Sequence, residues 1–235
     1  MSEPPHTKNE LKEELQRIKS KGFIKSLRKN NTGIGFTLEE ELHIRENNLK
    51  VHDLTLDGEN VELKSKRIGS GSRLTVFTLE PHKELNDKEL IQKYGYVDSE
   101  GRPALKVTIT LGEYNPKGFK LGLSEDGRNL SIVHRDGSSV WAWDLETLFV
   151  KFENLLMVFA KAKKAGDAEY FHYLEATLYE NLKREVFFGF LQEKKLVVDL
   201  RMHLKPTGAV RNRGTGFRIN PKYIPLCYAS ESKIL

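Results

Sequence analysis

The stretch Asp53-Leu54-Thr55-Leu56-Asp57-Gly58-Glu59-Asn60-Val61-Glu62-Leu63-Lys64 carries the clearest structural signal in this sequence of 235 residues. Polar and apolar residues alternate on both sides of Asp57-Gly58. An Asp-Gly pair between two alternating runs predicts a β-hairpin, because both turn residues need a positive φ. With this two-residue turn, Asp53 faces Glu62, and alternation puts Lys64 on the same face. We therefore predict that two carboxylates and a lysine converge there, while Leu63 points to the other face.

This convergence is typical of a site that hydrolyses phosphodiester bonds. Two opposed carboxylates repel each other unless a cation lies between them. Carboxylate oxygens hold Mg²⁺, which keeps open positions for water and for a phosphate oxygen. A nearby lysine can orient the attacking water and stabilise charge in the transition state. The alternative interpretation is an ordinary surface ion pair between Asp53 and Lys64, worth about 0–1 kcal/mol.

The rest of the chain predicts further helices and strands around this hairpin. Asn9 can cap a first helix, and Thr37 with Glu40 has the pattern of a capping box that opens a second one. Further helices are predicted at residues 86–94, from Asp144 towards 152, and at 181–192. Further strands are predicted at residues 74–79, 104–111, 129–134, 139–143, 155–160, 196–202 and 217–219, with a polar loop at 205–215. The pattern predicts one α/β (α+β) domain with a mixed central β-sheet flanked by helices and two lobes around a cleft.

The charge distribution gives a second, weaker indication of function. The chain has 38 Lys and Arg against 33 Asp and Glu, a net charge of +5. Six basic residues and no acid lie between Arg17 and Leu38, and five basic residues and no acid lie between Arg201 and Arg218. A segregated basic stretch can neutralise phosphates. A solvated surface explains the same pattern equally well.

Other features of the sequence indicate a cytoplasmic protein. The single cysteine, Cys227, excludes an internal disulfide. The first residues lack the apolar core of a signal peptide, and the longest apolar run, at 155–160, is too short to span a bilayer. We expect a soluble cytoplasmic protein with no membrane partner.

The sequence resembles the MvaI/BcnI family of type II restriction endonucleases, which are PD-(D/E)xK nucleases related to the mismatch-repair nickase MutH. The resemblance runs almost end to end, and its pieces occur in order and at similar spacing. These pieces are Lys21-Gly22-Phe23, Gly33-Ile34-Gly35, Glu46-Asn47-Asn48, Asp53-Leu54, Glu62-Leu63-Lys64, Leu74-Thr75-Val76-Phe77, Tyr94-Gly95-Tyr96-Val97, Val198-Asp199-Leu200 and Gly214-Thr215-Gly216-Phe217-Arg218-Ile219.

The resemblance implies a restriction-endonuclease-like fold with a DNA-binding cleft between two lobes. Residues 1–235 would form a single nuclease domain, with a catalytic part at roughly 1–160 and a DNA-reading part at roughly 161–235. The implied activity is Mg²⁺-dependent, site-specific cleavage of double-stranded DNA that leaves 5′-phosphate ends, with Mn²⁺ as a substitute metal. The implied protein is a monomer in a prokaryotic cytoplasm. Its restriction system would include a cognate DNA methyltransferase, with which it forms no stable complex.

The resemblance also implies roles for individual residues. Asp53, Glu62, Lys64 and the helix residue Glu39 match the catalytic residues, and the metal-binding positions are Asp53, Glu62 and Leu63. The family usually has a shorter step from the Asp to the E-x-K motif, and by that step Asp57 would be the catalytic Asp. We prefer Asp53, because lengthening both arms of the hairpin by two residues preserves the opposition of Asp and Glu and leaves Asp57 in the turn.

The predicted DNA-binding residues include a departure from the family pattern. Family members commonly carry His-Asp as base-reading residues where this sequence has Arg211-Asn212-Arg213. Asp accepts a hydrogen bond from cytosine, whereas Asn suits adenine and Arg suits guanine. We expect Arg211, Asn212, Arg213 and Arg218 to read bases, with the segment from Arg73 to Thr78 as an alternative reader. Lys66, Arg67 and Arg73 flank the hairpin and are expected to touch phosphates, although a solvated face is also consistent with them.

Two other functions fit the same residues. The chain could be a strand-nicking repair endonuclease like MutH, or a DNA-binding module with a vestigial nuclease site. The complete set of Asp53, Glu62, Lys64 and Glu39 argues against the vestigial module, because decay usually removes a ligand. The loop from Arg211 to Arg218 argues for a fixed recognition site but does not separate a nickase from a restriction enzyme.

Overall fold

The computed structural model describes residues 3–44, 52–212 and 215–235. Its elements in chain order are α1 Lys8–Ser20, β1 Ile24–Lys25, α2 Gly33–Glu41, β2 Leu54–Leu56, β3 Glu59–Arg67, β4 Leu74–Phe77, β5 His82–Lys83, α3 Asp87–Tyr94, β6 Tyr96–Val97, β7 Pro103–Ile109, β8 Phe119–Leu123, β9 Asn129–His134, β10 Ser139–Asp144, α4 Leu145–Lys151, β11 Leu155–Ala165, β12 Ala168–Leu182, α5 Arg184–Gln192, β13 Leu196–Leu204, β14 Val210–Asn212, β15 Gly216–Ile219, a 3₁₀ helix Pro221–Cys227, and β16 Tyr228–Lys233.

The chain divides into two compact units, and it passes from one to the other several times. Unit 1 contains residues 1–72, 150–183 and 225–235, and unit 2 contains residues 73–149 and 184–224. These boundaries do not coincide with the predicted functional parts at roughly 1–160 and 161–235. Which part cleaves and which part reads DNA stays a prediction.

Unit 1 is built on a mixed sheet. Its strand order is β1-β12-β11-β3-β2, with β16 also paired to β12. Strands β3 and β11 are parallel, whereas the other pairs are antiparallel. One face of β3, β11 and β12 packs with α1 and α2 in a hydrophobic core that includes Val61, Leu63, Val158 and Phe171. The opposite face carries Glu62 and Lys64.

The two helices of unit 1 begin earlier than predicted. In α1, Leu11, Leu15 and Ile18 are buried, but the cap is Thr7, which forms a capping box with Glu10, so the prediction of Asn9 as cap is wrong. The predicted capping box of Thr37 and Glu40 is wrong too, since α2 begins at Gly33. Thr37 is buried inside that helix, and its hydroxyl accepts a hydrogen bond from the Leu27 amide at 3.1 Å.

Unit 2 contains two further sheets. One has the order β5-β10-β9-β8, and the other has the order β4-β15-β13-β7-β6 with β14 paired to β13. Helix α3 lies within the helix predicted at 86–94, and its cap is Asn86, which forms a capping box with Glu89. Asp144 accepts hydrogen bonds from the first amides of α4, as its position before that helix predicts.

The largest differences from the predicted elements lie after residue 160. Strand β12 is a long partner of β11 that was not predicted, and its end occupies the first residues of the predicted helix at 181–192. The predicted polar loop at 205–215 contains the short strand β14. The C-terminal strand β16 was also not predicted.

The predicted class of fold is confirmed: the described chain is a mixture of helices and sheets with a mixed sheet in unit 1. None of the helices in the described ranges is long and apolar enough to cross a membrane.

Candidate functional site

The β2–β3 hairpin has the predicted register. Leu54 pairs with Val61, and Thr55 pairs with Asn60. Asp57 and Gly58 form the turn, with φ values of 51° and 88°. Both values lie in the left-handed region, which Asp tolerates and Gly adopts readily. The sequence therefore predicts this hairpin correctly from its turn residues and the alternating runs that flank them.

Three predicted site residues meet around the peptide of Leu63. The Asp53 carboxylate (Oδ2) accepts a hydrogen bond from the Leu63 amide at 2.8 Å. Lys64 Nζ donates to Glu62 Oε1 at 2.5 Å and to the Leu63 carbonyl at 3.2 Å. The Leu63 side chain lies in the hydrophobic core, so its contribution to this site is its main-chain carbonyl.

Glu62 is the most buried member of this group, with 3% of its surface exposed. One of its oxygens is bound by Lys64, and the other, Oε2, lacks a hydrogen-bond partner among the described residues. Lys151 Nζ, at the end of α4, lies 3.9 Å from this second oxygen. The carboxylate is therefore compensated by two lysines, and one of its oxygens is available for a further ligand.

The sequence did not identify Lys151 as part of the site. Its contact with Glu62 depends on the parallel pairing of β3 with β11, in which Glu62 lies beside Leu155, four residues after Lys151. Parallel strands are joined by long connections, so their register cannot be read from local spacing. The usable signal is a lysine placed just before a short apolar run that predicts a buried strand.

The donors around Leu63 suit a hard divalent cation. Asp53 and Glu62 supply carboxylate oxygens, and the Leu63 carbonyl lies next to both residues. Mg²⁺ is usually bound by one or two carboxylates, with water and phosphate filling its other positions. Within the described ranges, no group of three or more His, Cys, Asp or Glu side chains could hold a metal ion. The residues present therefore fit Mg²⁺ as a pair of carboxylates with a main-chain carbonyl.

Glu39 lies on α2, beside strand β3. A Cβ atom built on Gly35 would lie 3.6 Å from both Glu39 Oε1 and Ser65 Oγ. Ser65 directly follows Lys64, so Glu39 is close to the strand that carries the E-x-K motif. A contact of Glu39 with the metal stays a prediction.

Asp57 has a different setting from Asp53. It is exposed in the hairpin turn, where its amide donates to the His6 carbonyl at 2.8 Å. Its carboxylate accepts a hydrogen bond from the Lys8 amide at 3.3 Å. These contacts join the turn to the start of α1, which is a structural role consistent with Asp53 as the metal-binding residue.

The two predicted phosphate contacts on β3 have partners within unit 1. Lys66 is buried, and its Nζ donates to the Ser72 carbonyl. Arg67 forms two hydrogen bonds with the Glu169 carboxylate, at 2.9 and 2.8 Å. Both cations are therefore occupied by protein groups.

Arg218 and Arg73 lie together in unit 2. Arg218 donates to Asp199 Oδ2 at 3.0 Å and to the Arg73 carbonyl at 2.6 Å, and its Nε is buried without a partner among the described residues. The Arg73 side chain is exposed, and Thr78 follows β4 in a half-buried position. Arg218 is thus fixed by its neighbours, while Arg73 is exposed to solvent.

Asp199 organises this region of unit 2, and the predicted site did not include it as a functional residue. It is almost fully buried and accepts hydrogen bonds from Thr108 at 2.5 Å, from Arg201 at 2.7 Å and from Arg218. Burial acts to raise the pKa of Asp199, but the hydrogen bonds from Thr108 and Arg201 outweigh it, and the pKa lies below its ordinary value. Burial and the neighbouring Arg201 lower the pKa of Arg218.

Two of the predicted base readers, Arg211 and Asn212, lie on β14. Arg211 and Asn212 are exposed, and β14 pairs with β13. Asn212 Nδ2 donates to Asp87 at 3.4 Å, and its Oδ1 accepts from the Thr215 amide at 3.0 Å. Arg213 lies outside the described residues.

Comparisons with known proteins agree with this fold. The model of the MvaI/BcnI restriction endonuclease family matches residues 12–228. A solved structure described as a restriction endonuclease MvaI–cognate DNA substrate complex is 25% identical, covers 97% of this chain and 98% of that chain, and has a TM-score of 0.79. A structure of restriction endonuclease MvaI in the absence of DNA is 24% identical, covers 100% of both chains and has a TM-score of 0.50. At this identity the match supports a similar fold and nothing further. The comparison with curated proteins gave no match.

The fold and the structural match define a protein of the restriction-endonuclease class. The family match extends over nearly the whole chain, so the chain belongs to the MvaI/BcnI restriction endonuclease family. It is a site-specific deoxyribonuclease, a type II restriction enzyme that acts on DNA.

Proposed function

We propose that this enzyme hydrolyses phosphodiester bonds of double-stranded DNA in an Mg²⁺-dependent reaction that leaves 5′-phosphate and 3′-hydroxyl ends. The observation that carries the proposal is the meeting of Asp53, Glu62 and Lys64 around the Leu63 peptide. Two carboxylates and a lysine on one face of a hairpin supply the groups that this reaction needs.

Each of these residues has a distinct role in the proposed reaction. Asp53 and Glu62 hold the metal, with Glu62 Oε2 as the oxygen that is open to it. Lys64 Nζ orients the attacking water and stabilises negative charge on the phosphate in the transition state. Glu39 completes the catalytic set from α2. Lys151 Nζ, 3.9 Å from Glu62 Oε2, places a second positive charge beside that buried carboxylate.

Bound Mg²⁺ would polarise the scissile phosphate and lower the pKa of a bound water. Mn²⁺ prefers the same oxygen ligands and should replace it. The side chains of this site contain only oxygen and nitrogen donors, so soft metals have no preferred ligand here.

Double-stranded DNA is the proposed partner. The family is one of restriction endonucleases, and the similar solved structure is described as a complex with cognate DNA. We place cleavage in unit 1, which holds the hairpin, and base reading in unit 2, where Arg211 and Asn212 are exposed. The whole chain, residues 1–235, acts as one nuclease in this proposal.

The proposed protein works as a monomer with one active site. A monomer cuts one strand in each binding orientation, so supercoiled plasmid should pass through a nicked circle before it becomes linear. A cognate methyltransferase protects the host DNA without forming a stable complex with this enzyme. A cytoplasmic location in a prokaryotic cell goes with this role, because both incoming and host DNA are found there.

Digestion of a large plasmid with the purified protein tests the proposal. The reaction is run with Mg²⁺, with Mn²⁺ and with EDTA, and the ends are read by run-off sequencing. Cuts at one short sequence in both strands, with either metal and not with EDTA, support the proposal. Nicks confined to one strand would favour the repair-type nickase, and absence of cleavage with both metals would contradict a nuclease.

A further inference from the structure

The sheet face that carries Glu62 and Lys64 continues beyond the proposed cleavage site. In the parallel pairing of β3 and β11, Lys64 lies beside Met157, so the two residues share a face. Alternation along β11 then puts Lys161 and Lys163 on that face as well. Both lysines are exposed. Met157 and Lys66 are buried on this face, and the face becomes exposed again as a basic surface on the β11–β12 hairpin.

Burial on the opposite face confirms this assignment. Ala160, the neighbour of Lys161, is buried in the hydrophobic core with α1 and α2. Phe171, which pairs with Ala162, is fully buried in the same core. Ala160 and the partner of Ala162 thus lie on the core face, and Lys161 and Lys163 lie on the face of Lys64.

Strands β12 and β1 add to this surface. Lys163 pairs with Tyr170, which pairs on its other side with Lys25 of β1. Lys161 pairs with His172. Paired residues share a face of the sheet. We call this surface the lysine face, and its members are Lys25, Lys161, Lys163, Phe23, Tyr170 and His172.

Aromatic rings position one of the lysines. Lys163 Nζ lies 4.2 Å from the centre of the Phe23 ring and 5.8 Å from that of Tyr170. The Phe23 ring also lies 5.5 Å from the ring of His172. An ammonium held over aromatic rings is restrained while it stays accessible. It therefore loses less conformational freedom when it binds an anion.

The acidic residues of the hairpin tip do not neutralise this face. Glu169 pairs with Lys164 on the opposite face and binds Arg67. Asp167 lies in the turn of the hairpin. The nearest carboxylate on the same face of β12 is Glu175, opposite Phe159 and beyond a bulge. Between this bulge and the turn, the face is basic and aromatic.

The two lysines lie at increasing distances from the proposed cleavage site along β11. Lys161 and Lys163 lie four and six residues beyond Met157, which corresponds to about 13 and 20 Å at about 3.3 Å per residue. Phosphates of one DNA strand follow each other at about 3.4 Å along the helix axis. For a duplex whose axis follows β11, these distances correspond to phosphates about four to six nucleotides from the scissile one.

We propose that the lysine face binds the phosphate backbone of DNA flanking the recognition site, and this inference rests on the proposed nuclease function. These contacts carry no sequence information, because phosphates are alike at every position. They increase affinity for all DNA long enough to reach the hairpin, and they position the duplex over Glu62 and Lys64. Lys25 belongs to the basic segment from Arg17 to Leu38, so this proposal assigns phosphate binding to one residue of that segment.

Binding to a random-sequence duplex of about 40 base pairs, in EDTA and over a range of salt concentrations, tests this proposal. The variants are K163Q, the double variant K161Q/K163Q, and K164Q as a matched control. Lys164 is exposed on the same strand and points to the opposite face. Each lost phosphate contact should lower the slope of log affinity against log salt by about 0.9.

We expect the slope to fall by about one contact in K163Q and by about two in the double variant, with K164Q unchanged. Affinity of the double variant at about 0.15 M salt should fall roughly tenfold. An equal decrease in K163Q and K164Q would show a general charge effect and overturn the proposal, as would no decrease in any variant.

Cleavage measurements keep this proposal separate from the proposed function. The double variant should still cut plasmid DNA at low salt, because no residue of the cleavage site is changed. A parent protein that binds DNA through the lysine face but cuts no DNA would contradict the nuclease function and leave this binding result intact. If the parent cuts DNA and K161Q/K163Q binds DNA with the same salt slope as the parent, only the proposed DNA contact of the lysine face is overturned.

Discussion

The β2–β3 hairpin and the basic segment from Arg201 to Arg218 use their charges differently. In the hairpin, Asp53, Glu62 and Lys64 meet one another around one peptide group. In the basic segment, the charges divide into two sets. Arg201 and Arg218 bind the buried Asp199, whereas Arg211 is exposed. A run of basic residues in a sequence therefore does not report how many of its charges are available to DNA.

The difference has a topological cause. The hairpin is a local structure in which the turn fixes which residues face each other. Arg218 reaches Asp199 because β15 pairs with β13, and Thr108 reaches it because β7 pairs with β13 on the other side. Those pairings join distant parts of the chain. They bring Arg218 of the basic segment to Asp199, a carboxylate that lies outside the segment.

The largest expected effect is the loss of cleavage when the hairpin site is changed. Glu62→Gln and Lys64→Met should each lower the cleavage rate by at least about 10²–10³-fold, because these groups act on charge that develops in the transition state. DNA binding should be largely retained. Rates of plasmid cleavage and affinities for the same DNA measure both effects. Unchanged cleavage in Glu62→Gln would show that this carboxylate does not hold the metal.

The next effect concerns the stability of unit 2. Asp199→Asn should lower the free energy of unfolding by about 3 kcal/mol, because it leaves two arginines near an uncharged buried group. The exposed residue Arg211 provides the matched control, and Arg211→Gln should change stability by less than about 0.5 kcal/mol. Urea unfolding of both variants measures the difference. Equal stabilities would show that the Asp199 contacts contribute little.

The same carboxylate predicts a dependence of stability on pH. The folded-state pKa of Asp199 is lowered, so its stabilising contribution is present above the ordinary carboxyl pKa of about 3.9 and is lost as the pH falls through the folded-state value. As the pH falls below about 4, the free energy of unfolding should therefore decrease less in Asp199→Asn than in the parent. Parallel losses in the two proteins over this range would contradict the assignment.

A smaller effect is expected at the exposed end of the basic segment. Asn212→Asp should alter the preferred base at one position, with a change in discrimination of about 1–3 kcal/mol, because Asp accepts a hydrogen bond from cytosine and Asn suits adenine. Cleavage of the best site should stay measurable. Site-selection sequencing of parent and variant compares their preferences. Identical preferences would move base recognition to the segment from Arg73 to Thr78.

The smallest effect separates occupied from available charge. Arg67 is bound by Glu169, so Arg67→Gln should lower the free energy of unfolding by about 1 kcal/mol and leave the salt dependence of DNA binding unchanged. Lys163→Gln removes the same charge from the lysine face and is expected to change the salt dependence. If Arg67→Gln lowers the salt dependence of DNA binding, Arg67 contacts a phosphate as the sequence predicted.

Local signals in the sequence predicted the parts of the fold that depend on neighbouring residues. The Asp57-Gly58 turn and the alternating residues around it predicted the register of the hairpin, and Asp144 marked the start of α4. The capping pattern at Thr37 was misleading, because Thr37 is buried within α2 and its hydroxyl accepts from the Leu27 amide. A local pattern fails where tertiary packing uses the same side chain for another contact.

Long-range pairing limited the prediction of the site. Lys151 joins Glu62 only through the parallel register of β3 and β11, and β12 is defined by its pairing with β11 along most of its length. The lysine face could not be predicted for the same reason, since it combines three strands. The convergence of Asp53, Glu62 and Lys64 was predictable because one hairpin holds all three.

The central claim is that the hairpin register makes Asp53, and not Asp57, the metal-binding residue. Plasmid cleavage by Asp53→Asn and Asp57→Asn, in parallel with the parent and over a range of Mg²⁺ concentrations, tests it most directly. We predict that Asp53→Asn loses at least about 10²-fold in rate, whereas Asp57→Asn cleaves at nearly the parent rate with the same Mg²⁺ dependence. Retained cleavage in Asp53→Asn together with loss in Asp57→Asn would contradict the register and the site built on it.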